Sequence, residues 1–324
     1  MKVLVTGGSG YVGSHTVREL AIAGHDIVIY DNLSTGFRKL SQGFELVEGD
    51  IADKEKLRSC LRQVDAVMHF AASAYVGESV TNPRKYFRNN VESALALMDA
   101  VLESEVRLFV FSSSCAVYGV PPTLPIVESS PKEPINPYGA TKLFFERVLS
   151  AYGCSHGLRY AALRYFNAAG AHSSGEIGEI HDPETHLIPL AFKAVLGTAP
   201  QLTIFGQDLD TPDGTCIRDF IHVSDLASAH LKALRYLADG GPSVTLNLGR
   251  GKGTSIAELL RVIEEISNRK VPHTFASPRS GDPPVLFAEA HMAKKVLGWQ
   301  ARFSLRQIIE TAWRWEQQLS SFLK

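Results

Sequence analysis

Gly7-Gly8-Ser9-Gly10-Tyr11-Val12-Gly13 constrains this chain more than any other stretch. It joins a short apolar run, 3–6, to a segment with helical periodicity, 11–23. Glycines at such a junction permit a tight turn and a close approach of backbone to a ligand. The helix that begins there presents unpaired N–H groups and the positive end of its dipole, a setting suited to pyrophosphate. The spacing is G-x-x-G-x-x-G rather than the commoner G-x-G-x-x-G, and a glycine turn alone is a weak signal. Asp31 strengthens it. It ends the second apolar run, 27–31, at the distance where a carboxylate meets the ribose hydroxyls of a dinucleotide. A carboxylate there repels a 2′-phosphate, so the expected cofactor is NAD.

Short apolar runs then alternate with helical patterns. Strands are expected at 44–48, 66–71, 108–113 and 160–165, with helices at 53–62, 83–103 and about 137–152. Strands separated by helices imply a parallel sheet covered on both faces, an α/β doubly wound, Rossmann-like fold. The continuous apolar run Phe109-Val110-Phe111 fits a strand buried on both sides. Beyond residue 167 the pattern loosens. Residues 168–186 and 206–216 read as long loops, of the kind that serve as binding loops or lids. Amphipathic helices are expected at 257–268 and 304–319. The C-terminal part reads as a smaller substrate domain, although 244–248 is apolar enough to return to the main sheet.

Composition narrows the function. Lys and Arg number 33 against 34 Asp and Glu, a net charge of -1, so no basic surface for nucleic acid is indicated. No run of about 18 apolar residues marks a membrane span, and the first residues are too short an apolar run for a secretory signal. Cys60, Cys115, Cys154 and Cys216 are widely spaced and form no Cys-x-x-Cys pair. Reduced thiols in a cytoplasmic protein are the simplest reading.

The chemistry centres on Tyr138-Gly139-Ala140-Thr141-Lys142, behind Pro137. Proline suits the first helical turn, and the i, i+4 spacing puts the phenol and the amine on one helix face. A free tyrosine titrates near 10, too high for a base at neutral pH, and a neighbouring ammonium favours the phenolate. Ser112-Ser113-Ser114 follows the strand expected at 108–113, where α/β sheets place their ligands. A hydroxyl there can hydrogen-bond a reacting oxygen. Each feature occurs by accident; the glycine loop, serine triplet and Tyr/Lys pair in this order rarely do.

In this combination the chain resembles the extended short-chain dehydrogenase/reductase superfamily, and within it the UDP-glucose (UDP-galactose) 4-epimerases. The resemblance runs along essentially the whole sequence, through VTGGSGYVGSHT, DNLSTG, VEGDI, HFAA, VGESV, SSSCAVYG, NPYGATK, LRYFNAAGA, HLIPL, TPDGTCIRDFIHVSDLA and NLGRGKG. It implies an NAD-binding domain over 1–167 and a nucleotide-sugar-binding domain over 168–324. Gly7, Gly10, Tyr11, Val12, Gly13, Asp31 and Asn32 would hold the adenosine half of NAD, Asp50 and Ile51 would frame the adenine, and Phe70, Ala71 and Ala72 would line the cofactor path. Asn89, Ser112, Tyr138, Lys142 and Tyr165 would lie near the nicotinamide half. Tyr138 would be the base, Lys142 its activator and Ser114 the polar partner of the sugar hydroxyl. Asn167, His186, Leu187, Arg218, Arg279 and Asp282 would contact the nucleotide diphosphate. The arginine fork matches phosphate oxygens. A homodimer is also implied, through the helices expected at 84–103 and 137–152.

The sequence departs from the family pattern in three places. Ala74 stands where some members carry a lysine that reaches the substrate phosphate. His186 stands where some carry asparagine, and Leu286 where others carry tyrosine or cysteine at the pocket wall. The run 74–79 also resembles epimerases that interconvert UDP-xylose and UDP-arabinose, and a smaller wall would admit an N-acetylated hexose. Among rival activities, a nucleotide-sugar dehydratase needs an adjacent Asp-Glu pair after the strand-end hydroxyl, and a decarboxylase a glutamate there, but Cys115-Ala116 follow Ser114. A non-catalytic NAD-binding regulator tends to lose the Tyr or the Lys. No His-Glu-x-x-His occurs among the 11 histidines, and His181 and His186 lie in a loop with no clear third ligand, so no metal is expected.

Overall fold

Alternate side chains of β1 (Lys2–Thr6) point to opposite faces, and both faces are apolar. Val3 and Val5 enter one core and Leu4 the other, all fully buried. A strand buried on both sides belongs in a parallel sheet under two helical layers. The computed structural model, which describes residues 1–278 and 283–324, contains that sheet.

β1 leads into α1 (Tyr11–Ile22), then β2 (Asp26–Asp31), β3 (Glu45–Glu48), α2 (Lys54–Leu61) and β4 (Ala66–His69). Two short helices follow, α3 (Val76–Thr81) and α4 (Pro83–Phe87), then α5 (Ala94–Leu102), β5 (Leu108–Ser114), α6 (Pro137–His156), β6 (Arg159–Tyr165) and β7 (Asn167–Ala169). The remainder comprises α7 (Leu187–Leu196), β8 (Leu202–Phe205), β9 (Ile217–Arg218), β10 (Phe220–His222), α8 (Val223–Ala238), β11 (Val244–Leu248) and β12 (Thr254–Ser255). It ends with α9 (Ile256–Ser267), β13 (His273–Ala276), β14 (Val285–Leu286), α10 (His291–Leu297) and α11 (Leu305–Leu323).

The main sheet has seven strands in the order β11-β6-β5-β4-β1-β2-β3, every neighbouring pair parallel. The chain winds outward from β1 through β2 to β3, then returns to the other side of β1 with β4. That reversal is the switch point where open α/β sheets bind ligands. Leu57 of α2, Leu97 of α5 and Phe145 of α6 fill one core, while Val17 of α1, Leu226 of α8 and Leu297 of α10 fill the other. Each such side chain contributes about 1.5–3 kcal/mol through burial.

Residues 244–248 do return to the main sheet, as β11 beside β6. α8 returns with them and packs on α1 in the same core. Its buried stripe of Leu226, Ala229, Ala233, Leu234 and Leu237 has helical spacing, and α7 likewise buries Ile188, Ala191, Phe192 and Val195. A separate core joins α7, β8, β10, α9 and α11. In α9, Ile256, Leu259, Leu260 and Ile263 are buried, the i, i+3, i+4, i+7 stripe. α11 begins with a capping box between Ser304 and Gln307.

The helix expected over 83–103 is not uniform. Between α4 and α5 the segment Arg88–Ser93 is a π-helix. A π turn widens the helix locally and is common at functional sites. Here it turns Asn90 inward, where its side chain bonds both backbone groups of Ser73 (2.8 and 2.9 Å) and the Thr141 hydroxyl (3.1 Å). Among the described residues, no helix is long and apolar enough to cross a membrane.

Candidate active site

The glycine loop is held where a side chain cannot fit. Gly7 has φ +74, and a Cβ on it would lie 2.5 Å from the Ala71 nitrogen. A Cβ on Gly13 would lie 2.2 Å from the Gly7 carbonyl oxygen. Gly10 is the N-cap of α1 and offers no side-chain cap; the helical ladder begins with Ser14 N donating to Gly10 O at 2.9 Å. The N–H groups of Tyr11, Val12 and Gly13 therefore face the loop without intrahelical partners, as a bound pyrophosphate requires.

Asp31, Asn32, Asp50, Ile51 and the turn 70–72 flank this cradle. The Asp31 carboxylate, at the end of β2, accepts from Ser9 N (2.9 Å) and Leu33 N (2.8 Å). Burial raises its pKa, and those backbone donors oppose the shift. Asn32 donates to the Asp50 carboxylate at 2.8 Å, and Ile51 beside it is buried. Phe70 N and Ala71 N both donate to Thr6 O, at 2.8 and 3.1 Å, which fixes the turn 70–72 against the glycine loop. These residues fit a dinucleotide: open helix N–H groups, a backbone surface free of Cβ atoms and a carboxylate at the second strand.

Across the switch point stands the group around Tyr138. Asn136 caps α6 by accepting from Gly139 N at 2.8 Å, and Pro137 opens the helix. A Cβ on Gly139 would lie 2.3 Å from Ala116 O, so the first turn of α6 presses directly on the turn after β5. That contact brings Tyr138 beside Ser114, whose hydroxyl favours the ionised phenol. Lys142 donates to Ser112 O at 2.6 Å, and its Nζ lies 4.9 Å from the Phe111 ring centre. Ser112 Oγ and the Tyr165 hydroxyl are 2.7 Å apart. Tyr138, Lys142 and Ser114 are all buried.

Burial is the largest influence on both titrating groups. It pushes the Tyr138 phenol well above its ordinary range, with the Tyr165 phenol acting the same way and the Ser114 hydroxyl opposing. It pulls the Lys142 ammonium down to about 7, against the attraction of Glu146. This differs from the sequence expectation, in which the ammonium set the acidity of the phenol. Desolvation disfavours each charged form, so the pair alone does not make Tyr138 a ready base.

Asn89 lies in the π segment and donates to Ser73 Oγ at 3.3 Å and Asn90 Oδ1 at 3.0 Å. The sequence reading singled out Asn89 and passed over Asn90 and Thr141. These two tie the turn after β4 to α6, and so the cofactor loop to the Tyr138 helix. No local pattern distinguishes the two asparagines; the π turn does.

The remaining positions surround the other side. Asn167 opens β7, and its N–H donates to Asp219 O at 2.9 Å. His186 is the N-cap of α7 and Leu187 its first residue. Arg218 lies in β9, in register with Thr254 of β12 and Leu286 of β14, and donates to Ile217 O (2.9 Å) and Pro284 O (3.3 Å). Leu286 packs with Cys115 against Tyr118, Leu143 and Phe166, so the wall it forms adjoins the Ser114 turn. Ala74 is exposed. Arg279 and Asp282 lie outside the described residues.

The sequence model of the NAD dependent epimerase/dehydratase family matches residues 3–249. The chain is 49% identical over 315 residues to the UDP-glucose 4-epimerase of Rhizobium meliloti (strain 1021), covering 97% of this chain and 96% of that protein. It is 50% identical over 322 residues to the UDP-glucose 4-epimerase of Azospirillum brasilense, covering 98% and 92%. Among solved structures, the Brucella ovis UDP-glucose 4-epimerase in complex with NAD superimposes with a TM-score of 0.94 at 50% identity, over 96% of this chain and 97% of that one. The Stenotrophomonas maltophila UDP-glucose-4-epimerase with bound NAD and formylated UDP-arabinopyranose gives 0.96 at 40% identity, over 99% of both chains.

Proposed function

The chain belongs to the NAD dependent epimerase/dehydratase family, and from that membership we propose that it interconverts UDP-glucose and UDP-galactose by inverting carbon 4 of the sugar. The observation that carries this reading is the gathering of Tyr138, Ser114 and Lys142 at the carboxyl end of β5, two strands from β1 and its glycine loop at the same end of the parallel sheet. The dehydratase alternative lacks its acid pair, since Cys115 and Ala116 follow Ser114.

NAD, when bound, supplies a reversible hydride acceptor. Gly7, Gly10, Tyr11, Val12 and Gly13 hold its pyrophosphate, Asp31, Asn32, Asp50 and Ile51 its adenosine, and Phe70, Ala71, Ala72, Asn89, Ser112, Lys142 and Tyr165 line the way to the nicotinamide. Tyr138 takes the proton of the 4-hydroxyl as carbon 4 is oxidised to the ketone. Ser114 bonds the same oxygen and keeps the phenol aligned. Asn167, His186, Leu187, Arg218, Arg279 and Asp282 retain the diphosphate while the 4-keto sugar turns over. Tyr138 then returns the proton as carbon 4 is reduced from the opposite face. A positive charge beside the buried phenol offsets the desolvation that otherwise keeps it protonated, and that is the role left to Lys142 and the nicotinamide together.

In this reading residues 1–167 form the NAD-binding domain and 168–324 the nucleotide-sugar domain, with α8 and β11 lent back to the sheet. The protein is cytoplasmic and acts as a homodimer. The exposed apolar side chains Val80, Phe87 and Phe144 support the dimer. They stand on α3, α4 and α6, and Phe87 and Phe144 line a groove with Val91, Leu143 and Arg147.

Incubation of the purified protein with UDP-galactose and no added NAD, followed by NMR, tests the activity. Build-up of UDP-glucose is expected. No conversion by protein that carries bound NAD would overturn the reading.

A further inference from the structure

The loop ahead of α7 brings together Glu179, His181, Glu184 and His186, and one ligand atom from each lies within 4.8 Å of all the others. We propose that these four side chains form a binding site for a divalent first-row transition ion of the Zn²⁺ class. Of the four, only His186 is shared with the diphosphate contacts proposed above, and metal binding can be read without the epimerase reaction. The sequence showed two histidines without a third ligand, and the fold supplies two carboxylates.

The four Glu–His spacings are close to those of a coordination shell, and all four donors lie within 4.8 Å of one another. Glu179 Oε1 lies 3.4 Å from His181 Nδ1 and 3.1 Å from His186 Nδ1. Glu184 approaches the same nitrogens, with Oε2 3.6 Å from His181 Nδ1 and Oε1 2.9 Å from His186 Nδ1. Four donors placed tetrahedrally at about 2.0–2.2 Å from an ion are roughly 3.3–3.6 Å apart. Two histidine nitrogens and two carboxylate oxygens suit Zn²⁺ and its neighbours better than Mg²⁺ or Ca²⁺, which prefer all-oxygen shells.

An independent observation points the same way. Glu179 is only 7% exposed, and its Oε1 has no hydrogen bond, although it faces both imidazoles. His181 Nδ1 is likewise buried without one. Buried polar atoms are nearly always satisfied, and those that are not call for an unseen partner. Charge adds to this. Two carboxylates share the cluster; each pairs with both imidazoles, and among the described residues no Lys or Arg forms an ion pair with either, so only imidazole protons balance them in the absence of an ion. A divalent cation neutralises both. Glu184 is also steadied by its own loop, since its Oε1 accepts from Thr185 N and His186 N at 2.8 Å, and ligating carboxylates are commonly hydrogen-bonded in this way.

The surroundings give the ion a purpose. The Tyr11 ring lies 6.3 Å from that of His181, and the Tyr75 ring lies 5.8 and 5.9 Å from those of His181 and His186. An ion here would pin the loop between α1 and α7, closing it over the start of α1.

The test uses full-length protein, treated with chelator, dialysed and titrated with Co²⁺ alone. One equivalent should produce the visible bands of four-coordinate Co²⁺ without a thiolate charge-transfer band, and Zn²⁺ should abolish them. Glu179→Gln and His181→Gln should each weaken Co²⁺ binding by more than about 10-fold, with unchanged far-UV circular dichroism. Should either variant misfold, X-ray absorption of the wild-type Zn²⁺ form gives the second measurement: two imidazoles, oxygen ligands and no sulfur. No stoichiometric Co²⁺ binding, thiolate ligation, or unaltered affinity in both folded variants would overturn the site and leave a cluster held by protons alone.

Discussion

The Lys142 ammonium lies 5.8 Å from the centre of the Tyr138 ring, one helical turn away on α6. Its hydrogen bond goes to the Ser112 carbonyl, while the Ser114 hydroxyl stands beside the phenol and favours its ionised form. The lysine is thus positioned by the end of β5, and acts on the tyrosine through space. Because burial opposes ionisation of both groups, removing the phenol should be far costlier than altering the residues that align it. Tyr138→Phe is expected to lose at least about 10²-fold in turnover while still carrying NAD, and Ser114→Ala to lose less. Assays with UDP-galactose and the cofactor content of the purified variants check this; near-normal turnover of Tyr138→Phe would remove it from the base role.

The cofactor cradle is tested by adding one carbon. Gly13→Ala places a Cβ 2.2 Å from the Gly7 carbonyl, whereas Gly77→Ala meets nothing within 4 Å. The first variant should purify without NAD and with a lower melting temperature, and the second should match the parent. Dinucleotide retained in Gly13→Ala at the parent level would mean that the loop does not hold it.

A buried ion pair supports the site from behind. Arg164 and Glu146 meet at 2.5 Å, 6% and 7% exposed, and Glu146 also accepts from Ser113 at 2.6 Å. Removing one partner strands the other charge, at a cost of about 3–5 kcal/mol. Arg164→Met should lower the urea midpoint accordingly, and the double variant with Glu146→Leu should recover part of that loss. Equal losses in the single and double variants would show that the stranded carboxylate is not the cause.

Several buried histidines set the acid limit. Burial lowers His69 and His222 from 6.5 to about 3, and His230 to about 4. The unfolded chain takes up these protons below pH 6.5 and the folded chain does not, so stability is complete above 6.5 and falls as the pH drops towards 3–4. Each histidine contributes a slope of about 1.4 kcal/mol per pH unit. His69 Nδ1 lies 2.7 Å from Thr6 Oγ1, and His69→Gln can retain a polar contact there. Urea titrations between pH 6 and 4.5 should show a shallower decline in that variant by about one proton's slope; an unchanged slope would count against a neutral His69.

What the sequence determined by itself is local. The glycine loop, the Asp31 strand end, the Pro137 helix start and the Tyr138/Lys142 spacing depend on backbone conformation and on neighbours within a turn or two, and the structure puts each where the pattern implied. What only the tertiary structure decided is convergence and burial. Asn90 rather than Asn89 faces inward because a π turn forms against Ser73 and Thr141. α8 and β11 rejoin the first sheet because their apolar faces match α1 and β6. The acidity of Tyr138 and Lys142 is governed by desolvation, and Glu179 and Glu184 meet two histidines at distances no spacing rule specifies. Dielectric surroundings and the meeting of distant side chains are properties of the packed molecule, so a linear pattern names the candidates but not the field in which they act.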